Sequence, residues 1–279
     1  MKLAGAIILY NPDNLLIDNI LSYLEEIDRL YIFNNSITGD IDFPEAIKAK
    51  ITYIHNGENK GIAVRLNEAM LLARAEGYEY LLTMDQDSSF NLGDLSIYKS
   101  IIKQQPLIKE IAMFGVAHDK KELNIPIAND GKEKLITSGS IINLCAIPNE
   151  LIFDEQLFID SVDIEFCFNA WSHQLKTILV NSILLNHNMG EVRLVTTPLL
   201  EKQKRMIHSP LRLYYIVRNY FYVRKKFHQY KDHFTSSIIL NEIKNGILYG
   251  GAPLEYIKEI TSGIFDAFNG KMGAKKMIK

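Results

Sequence analysis

Apolar and polar positions follow two periods along the first half of the chain. Short apolar runs at Leu3–Leu9, Leu30–Phe33, Ile51–Ile54 and Tyr80–Met84 have the length and flanks of buried strands. Between them, Asn14–Glu26 and Gly61–Ala75 read as helices. In the second, Ile62, Leu66, Ala69, Met70 and Ala73 fall at helical spacing. Strand and helix in alternation predict an α/β fold with a mostly parallel central sheet covered by helices. Further strands are expected at Ile111–Val116, Lys134–Thr137, Ser140–Leu144 and Thr177–Leu185. Lys120–Asp130 reads as a surface loop, and 156–173 as a loop running into a helix. From about residue 198 the pattern becomes helical, which places a boundary near Pro198.

The ends of the first four strands are polar. They run into Tyr10-Asn11-Pro12, Asn34-Asn35-Ser36, Asn56-Gly57-Glu58-Asn59-Lys60-Gly61 and Asp85-Gln86-Asp87-Ser88. Each alone is an ordinary turn, since Asn, Asp and Gly are common turn formers. Four together at one edge point to a ligand, because parallel sheets bind ligands at the carboxyl ends of their strands.

Three groups could carry chemistry. Asp85 and Asp87, one residue apart after a buried strand, can hold a hard divalent cation that also takes diphosphate oxygens; the bland alternative is an acidic turn. Asp163 falls in the first turn of a helix. There it either complements the helix dipole or serves as a general base for a hydroxyl. His187, at a strand end between Asn186 and Asn188, can complete a metal site as a neutral imidazole or be structural.

Composition is ordinary for a globular protein of 279 residues, with 47% hydrophobic and 23% charged side chains. The net charge of −2 conceals a block. Residues 1–200 carry 16 Lys+Arg and 27 Asp+Glu, whereas 201–231 carry nine basic residues and one Glu. That block interleaves Tyr214, Tyr215, Tyr220, Phe221, Tyr222, Phe227 and Tyr230. It fits an interfacial helix on anionic lipid, a helix that packs its aromatics on the core, or a nucleic-acid surface. Cys145 and Cys167 have neither disulfide nor metal-ligand spacing. The start of the chain reads as a strand rather than a signal peptide, and no apolar run of about 18 residues suggests a membrane span.

Taken in order, these motifs resemble the inverting glycosyltransferases of family 2, with their GT-A fold, and among them bacterial rhamnosyltransferases of cell-wall or O-antigen synthesis. The matching stretches are Ile7–Pro12, Asn34–Ser36, Asn59–Ala63, Met84–Ser88, Thr137–Ser140, Phe158–Glu165 and His208–Tyr215 with Arg218-Asn219. One departure is Asn169, where many relatives carry Arg. The resemblance implies a GT-A domain over 1–197, its donor half about 1–90 and its acceptor half about 91–197. A helical basic and aromatic region follows over 198–279.

By the same resemblance, Tyr10, Asn11, Asn34 and Asn35 would line the nucleobase and ribose pocket. Asn59, Gly61 and Arg65 would lie near the base or diphosphate. Asp85 would face the ribose or the metal, and Asp87 and His187 would hold Mg²⁺ or Mn²⁺. Asp163 would be the catalytic base, while Ser138, Gly139, Ser140, Asp160 and Glu165 would border the acceptor. The Asp-Gln-Asp variant points, within the resemblance, to dTDP-L-rhamnose as donor; the resemblance itself implies a lipid-linked or polysaccharide acceptor. The enzyme would sit in the cytoplasm at the inner membrane face, touching it through 201–231, with no nucleic-acid partner and a homodimer left open. The rivals are a family 2 enzyme using another UDP- or dTDP-sugar, a nucleotidyltransferase, and a non-catalytic sugar-nucleotide-binding or membrane-adaptor protein. A nucleotidyltransferase would need a richer glycine loop than Ala4-Gly5-Ala6.

Overall fold

The computed structural model describes residues 1–123, 130–187, 192–196 and 201–275. The elements run in chain order: β1 (Leu3–Leu9), α1 (Leu16–Leu24), β2 (Arg29–Asn34), α2 (Glu45–Lys48), β3 (Ile51–His55), α3 (Ile62–Ala75), β4 (Tyr80–Asp85), β5 (Ser88–Ser89), α4 (Asp94–Lys103), β6 (Ile111–Ala117), β7 (Ser140–Asn143), α5 (Val162–Ser172), β8 (Lys176–Leu184), β9 (Asn186–His187), β10 (Val192–Thr196), β11 (Lys202–Met206), α6 (Pro210–Lys226), α7 (Ser236–Tyr249) and α8 (Pro253–Phe268).

The expected α/β architecture is present. Seven strands form one sheet in the order β3-β2-β1-β4-β7-β6-β8. The four on the β3 side are mutually parallel, β7 runs antiparallel to both its neighbours, and β6 pairs with β8 in parallel. Register fixes what meets at the carboxyl edge. Leu9 lies opposite Asn34, Asn34 opposite His55, and Ile8 opposite Asp85. The polar strand ends therefore emerge side by side.

The sheet strands read as apolar runs because both faces are covered. Leu3, Ile7, Leu30, Ile32, Leu82 and Phe114 are fully buried. Each such side chain contributes roughly 1.5–3 kcal/mol relative to exposure. Helix α3 buries Leu66, Ala69, Met70 and Ala73 as its spacing predicts; Ala63 and Arg65, not Ile62, join them.

Two elements differ from the sequence reading. Lys134–Thr137 is not a strand. Lys132 makes only an isolated bridge to Thr177, the Glu133 N–H donates to the Thr177 carbonyl, and the Leu135 N–H donates to Cys167 Sγ. The region after 198 is not helical from its start, because β10 and β11 pair as an antiparallel hairpin before α6. Of the expected loop Lys120–Asp130, residues 124–129 lie outside the described residues, as do Asn188–Gly190 and Pro198.

The chain divides into two compact units. The first holds everything through β9 except 156–161; the second holds 156–161 and the chain from β10 onward. In the second unit α6, α7 and α8 enclose Leu213, Val217, Ile239, Tyr256 and Ile260. Gly263 lets α8 lie close on α6, since a Cβ there would stand 2.7 Å from the Tyr214 carbonyl oxygen. Helix α6 starts at a Ser-Pro cap: the Arg212 N–H donates to Ser209 Oγ at 3.2 Å, and Pro210 takes the first turn. The 156–161 segment is clasped to α6. Asn219 Nδ2 donates to the Ile159 and Asp160 carbonyls (2.7 and 2.9 Å), Arg212 pairs with Asp160, and Phe158 stacks on Tyr215. The clasp holds Asp160 and Ser161 at φ +66° and +63°, a strained pair directly before α5. Among the described residues no helix is long and apolar enough to cross a membrane.

Candidate metal and donor site

Asp85 ends β4 and Asp87 follows in the turn, while His187 reaches the same place from β9. The link is the two-residue ribbon β5–β9, in which Ser88 lies opposite His187. One ligand atom from each of Asp85, Asp87 and His187 falls within 4.8 Å of the others, and all three residues are half-buried. His187 Nδ1 is 3.5 Å from Asp87 Oδ1 and 2.8 Å from Ser88 Oγ. Two carboxylates and one imidazole form an oxygen-rich set suited to Mg²⁺ or Mn²⁺.

The sequence reading takes Gln86, the middle residue of the acidic turn, as the mark of the variant and gives its side chain no role. Gln86 Oε1 accepts from the Tyr10 N–H at 2.8 Å, and Gln86 Nε2 donates to the Tyr10 carbonyl at 3.2 Å. The Gln86 carbonyl in turn accepts from Asn19 Nδ2 at 3.0 Å. One side-chain amide thus ties the ends of β1 and β4 together, leaving the Tyr10 ring exposed. Asn11, at φ +45°, donates its N–H to Ser36 Oγ at 2.8 Å.

Three residues expected on the donor side are held in internal hydrogen bonds. Asn34 and Asn35 are buried, and their amides hold loops rather than face a ligand. Asn34 Nδ2 donates to the Gly39 carbonyl and to Tyr53 Oη, and its Oδ1 accepts from the Ser36 N–H. Asn35 Nδ2 donates to the Gly61 carbonyl at 3.1 Å. Arg65 is 1% exposed and its guanidinium is spoken for. Nε donates to Asn35 Oδ1 (2.8 Å), Nη1 to Glu68 Oε2 (2.8 Å) and Nη2 to Asn56 Oδ1 (2.7 Å), with the Phe33 ring 5.6 Å away. A buried cation is paired in this way. Asn59 Oδ1 accepts from the Gly61 N–H at 3.0 Å, shaping the turn into α3. His55 completes the rim: Nδ1 lies 2.6 Å from Asp40, which raises its pKa, and Nε2 is 3.0 Å from the Ser36 carbonyl.

On the acceptor side, Asp163 lies half-buried in the first turn of α5, and its Oδ1 accepts from the Ile164 N–H at 2.8 Å. Glu165 is turned fully inward and accepts from the Asp154 N–H at 3.3 Å, so it does not border an open acceptor site. Ser138, Gly139 and Ser140 are buried as well. Ser140 Oγ donates to the Ile136 carbonyl, while Thr83 Oγ1 donates to the Thr137 and Ser140 carbonyls. Gly139 sits at φ +75°, and its N–H donates to the Thr83 carbonyl at 2.8 Å. This turn is a support for β4, not a surface. Asp160 belongs to the second unit, paired with Arg212 at 3.2 Å. Burial raises its carboxyl pKa, and the guanidinium opposes that shift.

His118 is a further group that the sequence reading passed over. It follows β6 as the polar turns follow β1–β4, and its N–H donates to Glu122 Oε2 at 2.7 Å. Its ring stands edge-on to His187, centroids 6.0 Å apart at 85°. Burial lowers its pKa, and the neighbouring imidazole adds to that.

No protein-family model matches the chain. A structure of Staphylococcus aureus TarS residues 1–349, solved with UDP-GlcNAc, superposes with a TM-score of 0.53 at 13% identity. It covers 96% of this chain and 81% of that one. A structure of GalNAc-T7 with UDP, GalNAc and Mn²⁺ gives 0.53 at 11% identity, over 81% of this chain and 48% of that one. The fold is GT-A. In sequence, this GT-A chain is 25% identical to the dTDP-rhamnosyl transferase RfbF of Shigella flexneri, with 80% of each chain covered. It is similar to the bacterial family-2-like rhamnosyltransferases. The acidic turn and its histidine lie at the carboxyl edge of the GT-A sheet.

Proposed function

We propose that this chain is an inverting glycosyltransferase that moves L-rhamnose from dTDP-L-rhamnose onto a lipid-linked or polysaccharide acceptor in cell-surface glycan synthesis. The observation that carries the reading is the convergence of Asp85, Asp87 and His187 at the carboxyl edge of a GT-A sheet. Similarity to a dTDP-rhamnosyl transferase supports the choice of sugar and nucleotide. The UDP-GlcNAc bound by TarS and the Mn²⁺ of GalNAc-T7 support a nucleotide-sugar donor and a divalent metal.

Asp85, Asp87 and His187 would hold the cation, which when bound neutralises charge on the departing nucleoside diphosphate. Asp163 is the base. The Ile164 N–H donates to its Oδ1 and fixes the carboxylate at the start of α5. Asp163 accepts the proton of an acceptor hydroxyl, and the freed oxygen attacks the anomeric carbon. The bond from that carbon to the diphosphate oxygen breaks, its electron pair leaves with the nucleotide, and configuration inverts. Gln86 and the Asn35–Arg65 network hold the donor-side loops in place.

The test is Asp163→Asn assayed with dTDP-L-rhamnose and Mn²⁺. Turnover falls by about 100-fold or more while donor affinity stays within a few-fold, as expected on loss of a general base. Undiminished turnover removes Asp163 from the reaction.

Membrane contact belongs to the same reading, with its surface revised. Tyr214, Tyr215 and Phe227 are buried, so the aromatic side of α6 serves the core of its own unit. The exposed basic cluster is Arg224, Lys225 and Lys226; the first two line a hollow of about 280 Å³ with Phe221, Ala267 and Phe268. Phe265 and Phe268 on α8 are exposed. Cations beside exposed aromatics suit an anionic lipid surface.

A further inference from the structure

We propose that Ser88 and Ser138 are positioning residues that orient His187 for the metal, through a buried relay of hydroxyls. This rests on the metal-dependent reading above. Both hydroxyls are fully buried, away from bulk water. The Asp85 N–H donates to Ser138 Oγ at 3.1 Å, the Ser138 hydroxyl donates to Ser88 Oγ at 2.8 Å, and Ser88 Oγ meets His187 Nδ1 at 2.8 Å. One hydroxyl chain therefore joins the backbone of one ligand to the ring of another, although the two lie 102 residues apart in sequence.

Proton counting leaves Ser88 two roles, since its own hydroxyl proton can also go to Nδ1; cation binding by Nε2 would select the one in which Ser88 accepts. Ser138 gives its one hydroxyl proton to Ser88 Oγ. Ser88 Oγ has a second lone pair, which can accept Nδ1–H from His187. In that arrangement Nε2 keeps its lone pair for a cation. In the reverse arrangement Ser88 donates to Nδ1, the ring proton sits on Nε2, and neither nitrogen is open to a metal. Metal-ligating histidines are held in one tautomer by such partners, and loss of the partner typically weakens metal affinity 10–100-fold. The edge of the His118 ring against His187 limits rotation of the same ring. Buried hydroxyls in a turn are thereby linked to the ligand set they support.

The experiment is Mn²⁺ titration of the full chain, read by the EPR signal of free Mn²⁺, for wild type, Ser88→Ala, Ser138→Ala and Asp87→Asn. Wild type binds and Asp87→Asn binds far more weakly. Ser88→Ala loses about 10–100-fold in affinity and Ser138→Ala loses less, because it leaves the His187–Ser88 contact in place. Thermal unfolding without metal shows that the variants are folded; if Ser88→Ala is not, Ser138→Ala against wild type decides. Wild-type or tighter Mn²⁺ binding by folded Ser88→Ala overturns the relay, with tighter binding meaning that Ser88 competes for Nδ1. Failure of wild type to bind, with no change in Asp87→Asn, overturns the metal reading and the relay with it.

Discussion

At the scale of single residues, Arg65 shows how a charge inside a protein is used. Its guanidinium has three side-chain acceptors, two on separate turns and one on its own helix: Asn35 after β2, Asn56 after β3 and Glu68 on α3. Removing it leaves the buried Asn35 Oδ1 only the long Lys60 N–H contact at 3.5 Å and empties a buried position, while Glu68 keeps Lys60 at 3.1 Å; losing one side of such a network costs more than the pair contributes while intact. Arg65→Ala should lose about 3 kcal/mol in urea unfolding, taken at the low end for breaking a buried charged pair because Glu68 is part exposed. Arg65→Lys should recover little of that loss, because an ammonium cannot span the same fork. A loss under about 0.5 kcal/mol for Arg65→Ala would mean the network is incidental to these loops.

At the scale of elements, the sheet was legible because buried strands are apolar runs and α3 keeps a helical stripe. Polar strand ends announced the carboxyl edge. What the sequence concealed was how those polar groups are spent. Asn34, Asn35 and Arg65 have the chemistry of a ligand pocket, yet Asn35 and Arg65 bond each other and Asn34 bonds its own loop. Residue type alone cannot separate a wall from its scaffold. Lys134–Thr137 looked like a strand for a related reason: its apolar Leu135 is buried, but under a turn and against Cys167 rather than in a ladder. The ribbon that carries His187 to Asp87 has two residues per strand, too short for any period to register. The turn at 137–140 gives a test at this scale. Gly139→Ala would place a Cβ 2.7 Å from Val116 Cγ2 at a φ of +75°. It should cost about 1–3 kcal/mol in thermal unfolding by overpacking, and it should weaken Mn²⁺ binding by moving Ser138. Unchanged stability would show that the turn yields without strain.

At the scale of the whole molecule, charge is partitioned along the chain. Residues 201–231 are strongly basic within a protein whose net charge is −2. Part of this basic character is internal: Arg218 is buried between the Tyr214 and Tyr215 rings and donates to the Gly273 carbonyl at 2.8 Å. Arg224, Lys225 and Lys226 remain exposed, beside Phe268 at 67% exposure. A lipid-linked acceptor would bring the enzyme to a surface where each such cation contributes about 1 kcal/mol and where apolar side chains can enter. The chain should therefore co-sediment with vesicles of phosphatidylcholine and phosphatidylserine, less so at high salt because the attraction is screened. Replacing all three with Glu should lower partitioning by about 100-fold or more, since it removes roughly 3 kcal/mol of attraction and adds repulsion. Turnover on a soluble acceptor analogue should be unaffected, because none of the three has a place in the donor or metal site. Partitioning that is the same with and without phosphatidylserine would remove the membrane from the function of this unit and leave the basic end of α6 as a solvated helix terminus.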